Sequence, residues 1–347
     1  MLPKDTRIGL LAPITWPIPP AAYGAWERVV TNLANGLVAA DYQNVTLFAT
    51  KQANLNGVHT VAFVDNPLGE QNLAGSRALE FVHIAKSLQQ AAELDIIHNH
   101  LNYHPLLFSD WIRTPMVTTM HGSAIEPESK RGYGVYRDTP FVSISNFERN
   151  FAPELNYVAT VYNGIDFKQF SFNPTPKHYL VQTGRMHPTK GVHNAIKLAQ
   201  ELGLPLFLAG PIEADCQEYF DTQIAPHIDH SKIRYLGNLM TSEVHQLVAA
   251  ATAFVGLIEW DEPFGLSVAE AMACGTPVIG SPRGAHQETI IDGITGMLVH
   301  SVAEAVTRFP EIAKIDRAQC RTSAAARFSI KTMTQGYLAA YEYILNR

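Results

Sequence analysis

Short apolar runs alternate with longer amphipathic stretches along almost the whole chain. Residues 7–12 carry an apolar run that reads as a first strand. A proline-rich loop (Pro13, Pro17, Pro19, Pro20) then leads through Tyr23 and Gly24 into a stretch over 26–39 with helical spacing. Residues 45–49 and 58–64 predict strands, and 76–94 predicts a helix. Strands ending at His98, His121 and Ser145 follow, each succeeded by a polar or glycine-containing turn, and 157–162 is another, ending at Asn163-Gly164. Residues 166–178 show no periodicity and hold Pro174 and Pro176, which marks them as a linker. The alternation then restarts: strands at 179–184, 205–209, 233–236 and 253–258, helices at 191–202 and 241–251, and a last strand at 297–299 before three helical segments, 302–308, 316–328 and 329–345. Strands separated by helices of this length predict mostly parallel sheets covered on both faces. The expected architecture is therefore α/β, with two doubly wound, Rossmann-like domains in series, at 1–170 and 171–328. In such sheets ligands sit at the carboxyl ends of strands, so His98, His121, Ser145, Asn163, Gly184, Gly210 and Glu259 would line a cleft if the two domains face one another.

Composition narrows the class. The chain has 347 residues, 46% hydrophobic and 17% charged, enough for two domains of ordinary size. A net charge of −6 argues against non-specific nucleic-acid binding. Three scattered cysteines (Cys216, Cys274, Cys320) with no C-x-x-C fit a reducing cytoplasm better than an oxidising compartment. No stretch of about 20 apolar residues predicts stable membrane insertion, and the first residues read as a strand and not a signal peptide.

Candidate chemistry concentrates in IEWDEPFGLSVAEAMACGTPVIGS, residues 258–281. A turn rich in acid, proline and glycine (259–265) precedes a helix over 266–274, which Gly275, Thr276 and Pro277 stop. The first helical turn leaves the N–H groups of Gly265, Leu266 and Ser267 without intrahelical partners, and that partly positive end suits a phosphate. Glu262 lies in the loop and Glu270 about one turn inside the helix.

Upstream, GRMHPTKG at 184–191 places Arg185 and Lys190 across a turn after a strand. These motifs together resemble the retaining glycosyltransferases of family 4, which have the GT-B fold. Further matches are PPAAYGAWERV at 19–29, TMHGS at 119–123, SISNFER at 143–149 and YNGID at 162–166. The family's usual GGxE loop reads Gly24-Ala25-Trp26-Glu27 here, so Ala25 replaces the second glycine. The resemblance implies a nucleotide-sugar-binding second domain, an acceptor-side first domain, and a C-terminal helix, about 329–347, that returns to the first domain.

The resemblance also implies roles. Transfer from a nucleotide-diphosphate sugar (a UDP-sugar is favoured) expels a nucleoside diphosphate, so negative charge grows on its β-phosphate. Arg185 offers a bidentate fork and Lys190 a point charge, each worth about 3–4 kcal/mol if well placed. Glu262 is assigned to hydroxyls of the transferred sugar, Glu270 to the ribose, and His121 to the sugar near its 6-hydroxyl. His121, Arg185, Lys190 and Glu262 form the catalytic set. Gly24, Gly184, Phe264, Gly265, Leu266, Ser267 and Glu270 complete the donor contacts.

No D-x-D ends a strand, so no metal or other cofactor is expected. His98, His100 and His104 have neither cysteine nor carboxylate beside them, and a cleft-lining, acceptor-side role is the better reading than a metal site. Acceptor-side candidates are Trp26, Glu27, His98, His100, Ser145 and Asn163. The sparse basic residues of 76–94 favour a soluble small molecule or glycan as acceptor over a lipid. Lys130, Arg131 and Arg137 fall in what reads as a loop. No further carboxylate offers itself as a nucleophile, which favours front-face displacement. The competing reading is a nucleotide-sugar epimerase or hydrolase on the same fold. A dinucleotide-dependent dehydrogenase is excluded because no G-x-G-x-x-G follows the first strand.

Overall fold

The computed structural model describes residues 2–21, 24–69 and 76–347, so Tyr23 of the expected entry loop lies outside the described residues. The chain divides into two units, one of residues 1–164 with 330–347 and one of 165–329.

The first unit is a seven-stranded sheet in the order β3-β2-β1-β4-β5-β6-β7, all neighbours parallel. Its strands are β1 (Ile8–Leu11), β2 (Val45–Thr50), β3 (His59–Val64), β4 (Ile96–Asn99), β5 (Met116–Thr119), β6 (Phe141–Ser143) and β7 (Tyr157–Thr160). Every residue of β1, β4, β5 and β6 is buried, which is why these strands read as continuous apolar runs and not as alternations. Helices α1 (Ala25–Ala39), α2 (Ser76–Leu88) and α3 (Pro127–Val135) belong to this unit.

The expected loop around Lys130 and Arg131 is α3, a correction with a clear cause. Tyr133 inside it is fully buried and hydrogen-bonded to Ser123, so tertiary burial overrides the helix-weakening glycines 132 and 134. Asp95 sits just before β4 and pairs with Arg7 at 2.6 Å.

The second unit is a six-stranded parallel sheet in the order β10-β9-β8-β11-β12-β13. Its strands are β8 (Leu180–Thr183), β9 (Leu206–Ala209), β10 (Ile233–Tyr235), β11 (Ala253–Gly256), β12 (Val278–Gly280) and β13 (Gly296–Leu298). Its helices are α4 (Val192–Leu202), the single turn α5 (Gln217–Tyr219), α6 (Thr241–Ala250), α7 (Leu266–Ala273), α8 (His286–Thr289), α9 (Val302–Arg308) and α10 (Arg317–Phe328). Buried Arg317 ties this unit together by donating to the carbonyls of Asn173, Ala249 and Ala251 and to Thr276 Oγ1.

The chain then returns to the first unit as α11 (Ile330–Leu345). Met333, Tyr337, Ala340, Tyr341 and Ile344 follow helical spacing and join the core formed by α1 and one face of the sheet. The approach to α1 is close: a Cβ on Gly36 would lie 2.0 Å from Thr334 Oγ1.

Both sheets reverse strand order beside their first strand, between β1 and β4 in one unit and between β8 and β11 in the other. These are the switch points at which open α/β sheets bind ligands.

Candidate active site

In the second unit the switch point brings Lys190 to Glu262, while Arg185 meets Glu213. Gly184 follows β8 directly, and Arg185 and Lys190 follow it. A short 3-10 turn, Pro188–Lys190, is stitched to the loop after β11 by Glu259 N–H donating to the Thr189 carbonyl at 2.8 Å. Gln182 on β8 adds an amide donated to the Lys190 carbonyl at 2.6 Å. Gly191 ends the turn with φ 63°, and a Cβ there would stand 1.8 Å from the Leu257 carbonyl oxygen. Only glycine allows that approach, so the two loops are locked edge to edge.

The consequence is a short ion pair: Lys190 Nζ donates to Glu262 Oε2 at 2.6 Å, and the two side chains are 24% and 14% exposed. Trp260 Nε1 donates to the same oxygen at 3.1 Å, and its ring lies 4.7 Å beneath the Lys190 ammonium. Arg185 donates to Glu213 Oε2 at 2.8 Å. Glu262 is also held through its backbone, since Ala285 N–H donates to its carbonyl at 2.8 Å.

Gly265 caps α7 with φ 91°, and the N–H groups of Gly265, Leu266 and Ser267 have no backbone partner among the described residues. The helix N-terminus therefore has donors to offer, as its sequence predicts. Glu270 stands in the second turn of α7, half-buried. Phe264 differs from expectation: it is 2% exposed and packs edge-on against Phe328 at 5.5 Å, so its ring belongs to the core and not to a ligand. Beneath this loop lies His286, fully buried, with its pKa lowered by desolvation to about 4 and so neutral. Its Nε2 would be 3.2 Å from a Cβ on Gly265.

In the first unit, His121 lies two residues beyond β5 in the left-handed region (φ 50°), followed by Gly122 at φ 83°. Fully buried Glu148 holds this unusual backbone by accepting the Gly122 N–H on one oxygen and the Ile144 N–H, at 2.7 Å, on the other. Ser145 is also fully buried, and its hydroxyl accepts the Glu148 N–H at 2.9 Å. The Ser145 hydroxyl is thus committed to the turn before Glu148, in place of the expected acceptor contact. The signal of that turn, Ser-x-x-Glu, was present in the sequence.

Trp26 stacks on His121 with ring centres 5.4 Å apart and planes 22° apart. Glu27 is 3% exposed, accepts the Trp16 N–H at 3.1 Å, and has its pKa raised by burial. Gly24 caps α1 with φ 145°, and a Cβ there would fall 2.8 Å from Pro20 Cβ. Trp16, Trp26, Glu27, Glu80, Leu101 and His104 line a cavity of about 310 Å³, at the carboxyl end of β1 and β4. Asn163 is 3% exposed, its Oδ1 without a hydrogen-bond partner among the described residues.

His98 and His100 depart most from expectation. Both are fully buried and line no cleft. His98 is bound on both nitrogens, Nδ1 to Tyr341 Oη and Nε2 to Thr119 Oγ1, each at 2.7 Å. His100 sits behind His121, its Nδ1 2.8 Å from His121 Nε2. Desolvation lowers the pKa of all three, that of His121 to about 3, so the cluster is neutral. Sequence reasoning did not find Glu148, Glu213, Trp260, Tyr337 or Tyr341. The last two could have been found as a tyrosine pair at i, i+4 on an otherwise apolar helix face.

Among the described residues no helix is long and apolar enough to cross a membrane.

Known proteins resemble this chain along most of its length. The model of glycosyl transferases group 1 matches residues 165–325, and that of glycosyltransferase family 4 matches residues 26–169. A glycogen synthase of Mycobacterium tuberculosis is 27% identical over 336 residues, covering 82% of this chain and 80% of the relative. A trehalose synthase of Pyrococcus horikoshii is 29% identical over 187 residues, 49% of this chain and 45% of the relative. Among solved structures, sucrose-phosphate synthase from Thermosynechococcus elongatus superposes with a TM-score of 0.81 at 18% identity, covering 99% of this chain and 100% of that one. HepE of Anabaena, solved with UDP-glucose, gives 0.72 at 20% identity, covering 98% and 100%. A pair of adjoining family models, two parallel Rossmann-like sheets and a shared fold place this chain among the group 1, family 4 glycosyltransferases of the GT-B fold, and it is a transferase enzyme.

Proposed function

We propose that this enzyme moves a hexose from a nucleotide-diphosphate sugar, a UDP-sugar first, to a hydroxyl of a soluble acceptor, with retention and without a metal. The observation that carries the reading is the Lys190–Glu262 contact of 2.6 Å beside the open N-terminus of α7, at the switch point of the second sheet. A cation, a carboxylate and unpaired N–H groups at one place match a donor with phosphates at one end and sugar hydroxyls at the other.

In this proposal Lys190 and Arg185 exchange their present carboxylate partners for phosphate oxygens and oppose the charge that grows as the nucleoside diphosphate departs. Glu262, freed of Lys190, accepts hydroxyls of the sugar, and Glu270 accepts those of the ribose. His121 donates a hydrogen bond to the transferred sugar. The acceptor attacks on the face from which the phosphate leaves, and the departing phosphate oxygen takes the acceptor proton. The 310 Å³ cavity beside Trp26 is the acceptor's place in the first unit.

A panel of nucleotide sugars tests the reading by thermal stabilisation, followed by nucleotide release with and without acceptors and in the presence of EDTA. Stabilisation by a UDP-sugar with acceptor-dependent, EDTA-insensitive release and an unchanged anomeric configuration in the product is expected. Stabilisation by none would overturn it, and release indifferent to every acceptor would show a hydrolase. HepE, solved with UDP-glucose, supplies the reason for beginning with UDP.

A further inference from the structure

His121 is held by its neighbours on three sides. Glu148 fixes the backbone that follows it, Trp26 covers one ring face, and His100 Nδ1 meets its Nε2 in a 2.8 Å hydrogen bond. That last bond joins two ring nitrogens, so one must carry a proton and the other a lone pair. His100 Nε2 decides which. It is buried and has no hydrogen-bond partner among the described residues. If His100 accepted at Nδ1, its own proton would sit on Nε2 as an orphaned buried N–H, an arrangement native proteins avoid more strictly than an unused lone pair. If His100 donates from Nδ1, Nε2 is merely an unused acceptor. The ring cannot readily turn to escape the choice, because His98 packs against it with centres 3.9 Å apart. His98 is itself tied to Tyr341 of α11 and to Thr119.

We infer that His100 is a positioning residue that donates from Nδ1 to His121 Nε2 and so sets His121 in the tautomer with its proton on Nδ1, making that nitrogen a fixed donor to a hydroxyl of the transferred sugar. The tautomer assignment stands on this geometry alone, and the sugar contact rests on the function proposed above. All three histidines remain neutral in it, so no charge is buried. His121 then acts as a directional donor and not as an acid or a base.

Long-range ¹⁵N–¹H correlation spectra of histidine-labelled enzyme test the assignment without any substrate. Single His→Gln variants of the other histidines identify the signals. The expected result is a proton on Nδ1 of both His100 and His121. A proton on His121 Nε2 in the unaltered enzyme overturns the inference, whatever the enzyme's substrate. Two variants carry it to function. In His100→Asn the amide nitrogen can take the place of Nδ1 and still donate, so the His121 tautomer is kept and kcat/KM with the nucleotide sugar stays within about threefold. In His100→Leu the donor is lost at similar volume, His121 becomes a tautomer mixture, and kcat/KM falls about 10- to 100-fold. Equal losses in the two variants overturn the positioning role. If His100→Leu does not fold, the spectrum of the unaltered enzyme and the Asn variant decide. Intact tautomers with no turnover of any nucleotide sugar would sink the proposed function and leave the tautomer assignment standing.

Discussion

Replacing Lys190 with alanine separates a catalytic cation from a structural one. The ammonium contacts Glu262 at 2.6 Å, but the two side chains remain 24% and 14% exposed, so solvent screens the pair. For such a pair the loss of stability is about 1 kcal/mol, because Glu262 also keeps the Trp260 indole N–H. In a unit of this size that lowers its melting temperature by about 2–4 °C. The catalytic expectation is much larger. A charged donor facing phosphate oxygens whose charge grows in the transition state is worth about 3–4 kcal/mol, and at 1.36 kcal/mol per decade this is about 10²- to 10³-fold in kcat. Thermal melts and steady-state rates with a nucleotide sugar and its acceptor measure both. A drop in kcat of less than about fivefold, or a loss confined to the KM of the donor, would refute the assignment of Lys190 to the leaving phosphate. A melting point lowered by more than about 10 °C would instead make the ion pair a structural device.

Four other outcomes follow from the same geometry. Glu148→Ala, which strips the Gly122 and Ile144 N–H groups of a buried acceptor, should cost on the order of 3 kcal/mol in urea unfolding; a cost below about 1 kcal/mol would remove Glu148 from the support of His121. Gly191→Ala places a Cβ 1.8 Å from the Leu257 carbonyl, so the two loops must part. Its activity should fall at least as far as that of Lys190→Ala, and activity near that of the unaltered enzyme would show the stitch to be dispensable. Arg317→Met leaves three backbone carbonyls and a hydroxyl without their buried donor and should destabilise the second unit by about 3–5 kcal/mol, read as a lowered melting transition. Stability should fall as pH drops from 6.5 towards 4. His83 and His286 have folded pKa values of about 4 and His121 about 3, all below the unfolded value. The unfolded chain therefore binds more protons in that window, and each histidine contributes about 1.4 kcal/mol per pH unit. A urea midpoint flat from pH 7 to 4.5 would contradict their neutral burial.

The layers of the fold were legible because parallel strands buried on both faces leave a coarse signal: uninterrupted apolar runs at regular intervals. The meeting of Lys190 with Glu262 follows the same logic, since the two stand in the loops after β8 and β11, which are neighbours in the sheet. What failed was the direction and depth of side chains. His98 closes an apolar run and so reads as rim, yet it shares a sheet face with Ile96 and points at α11, whose tyrosines lie more than 230 positions later. No local pattern carries that contact. Phe264 sits inside a donor motif, but its ring is drawn into the core by Phe328. The helix at Lys130 was hidden by its glycines, and Gly132 is explained only by the Tyr103 ring, 2.3 Å from where a Cβ would stand.

The return of α11 has a consequence for biosynthesis. Residues 1–164 leave the ribosome before any of 165–329, but their core has an open flank until Met333, Tyr337 and Tyr341 arrive. The second unit is continuous in sequence and needs nothing made later. Residues 1–164, made before 165–329, are therefore expected to mature after them, and the nascent first sheet must wait, with apolar surface uncovered, for about 165 further residues to be made. At ribosomal speeds of about 5–20 residues per second that wait is on the order of 10–30 seconds, long enough for a chaperone to cover the vacant groove beside α1.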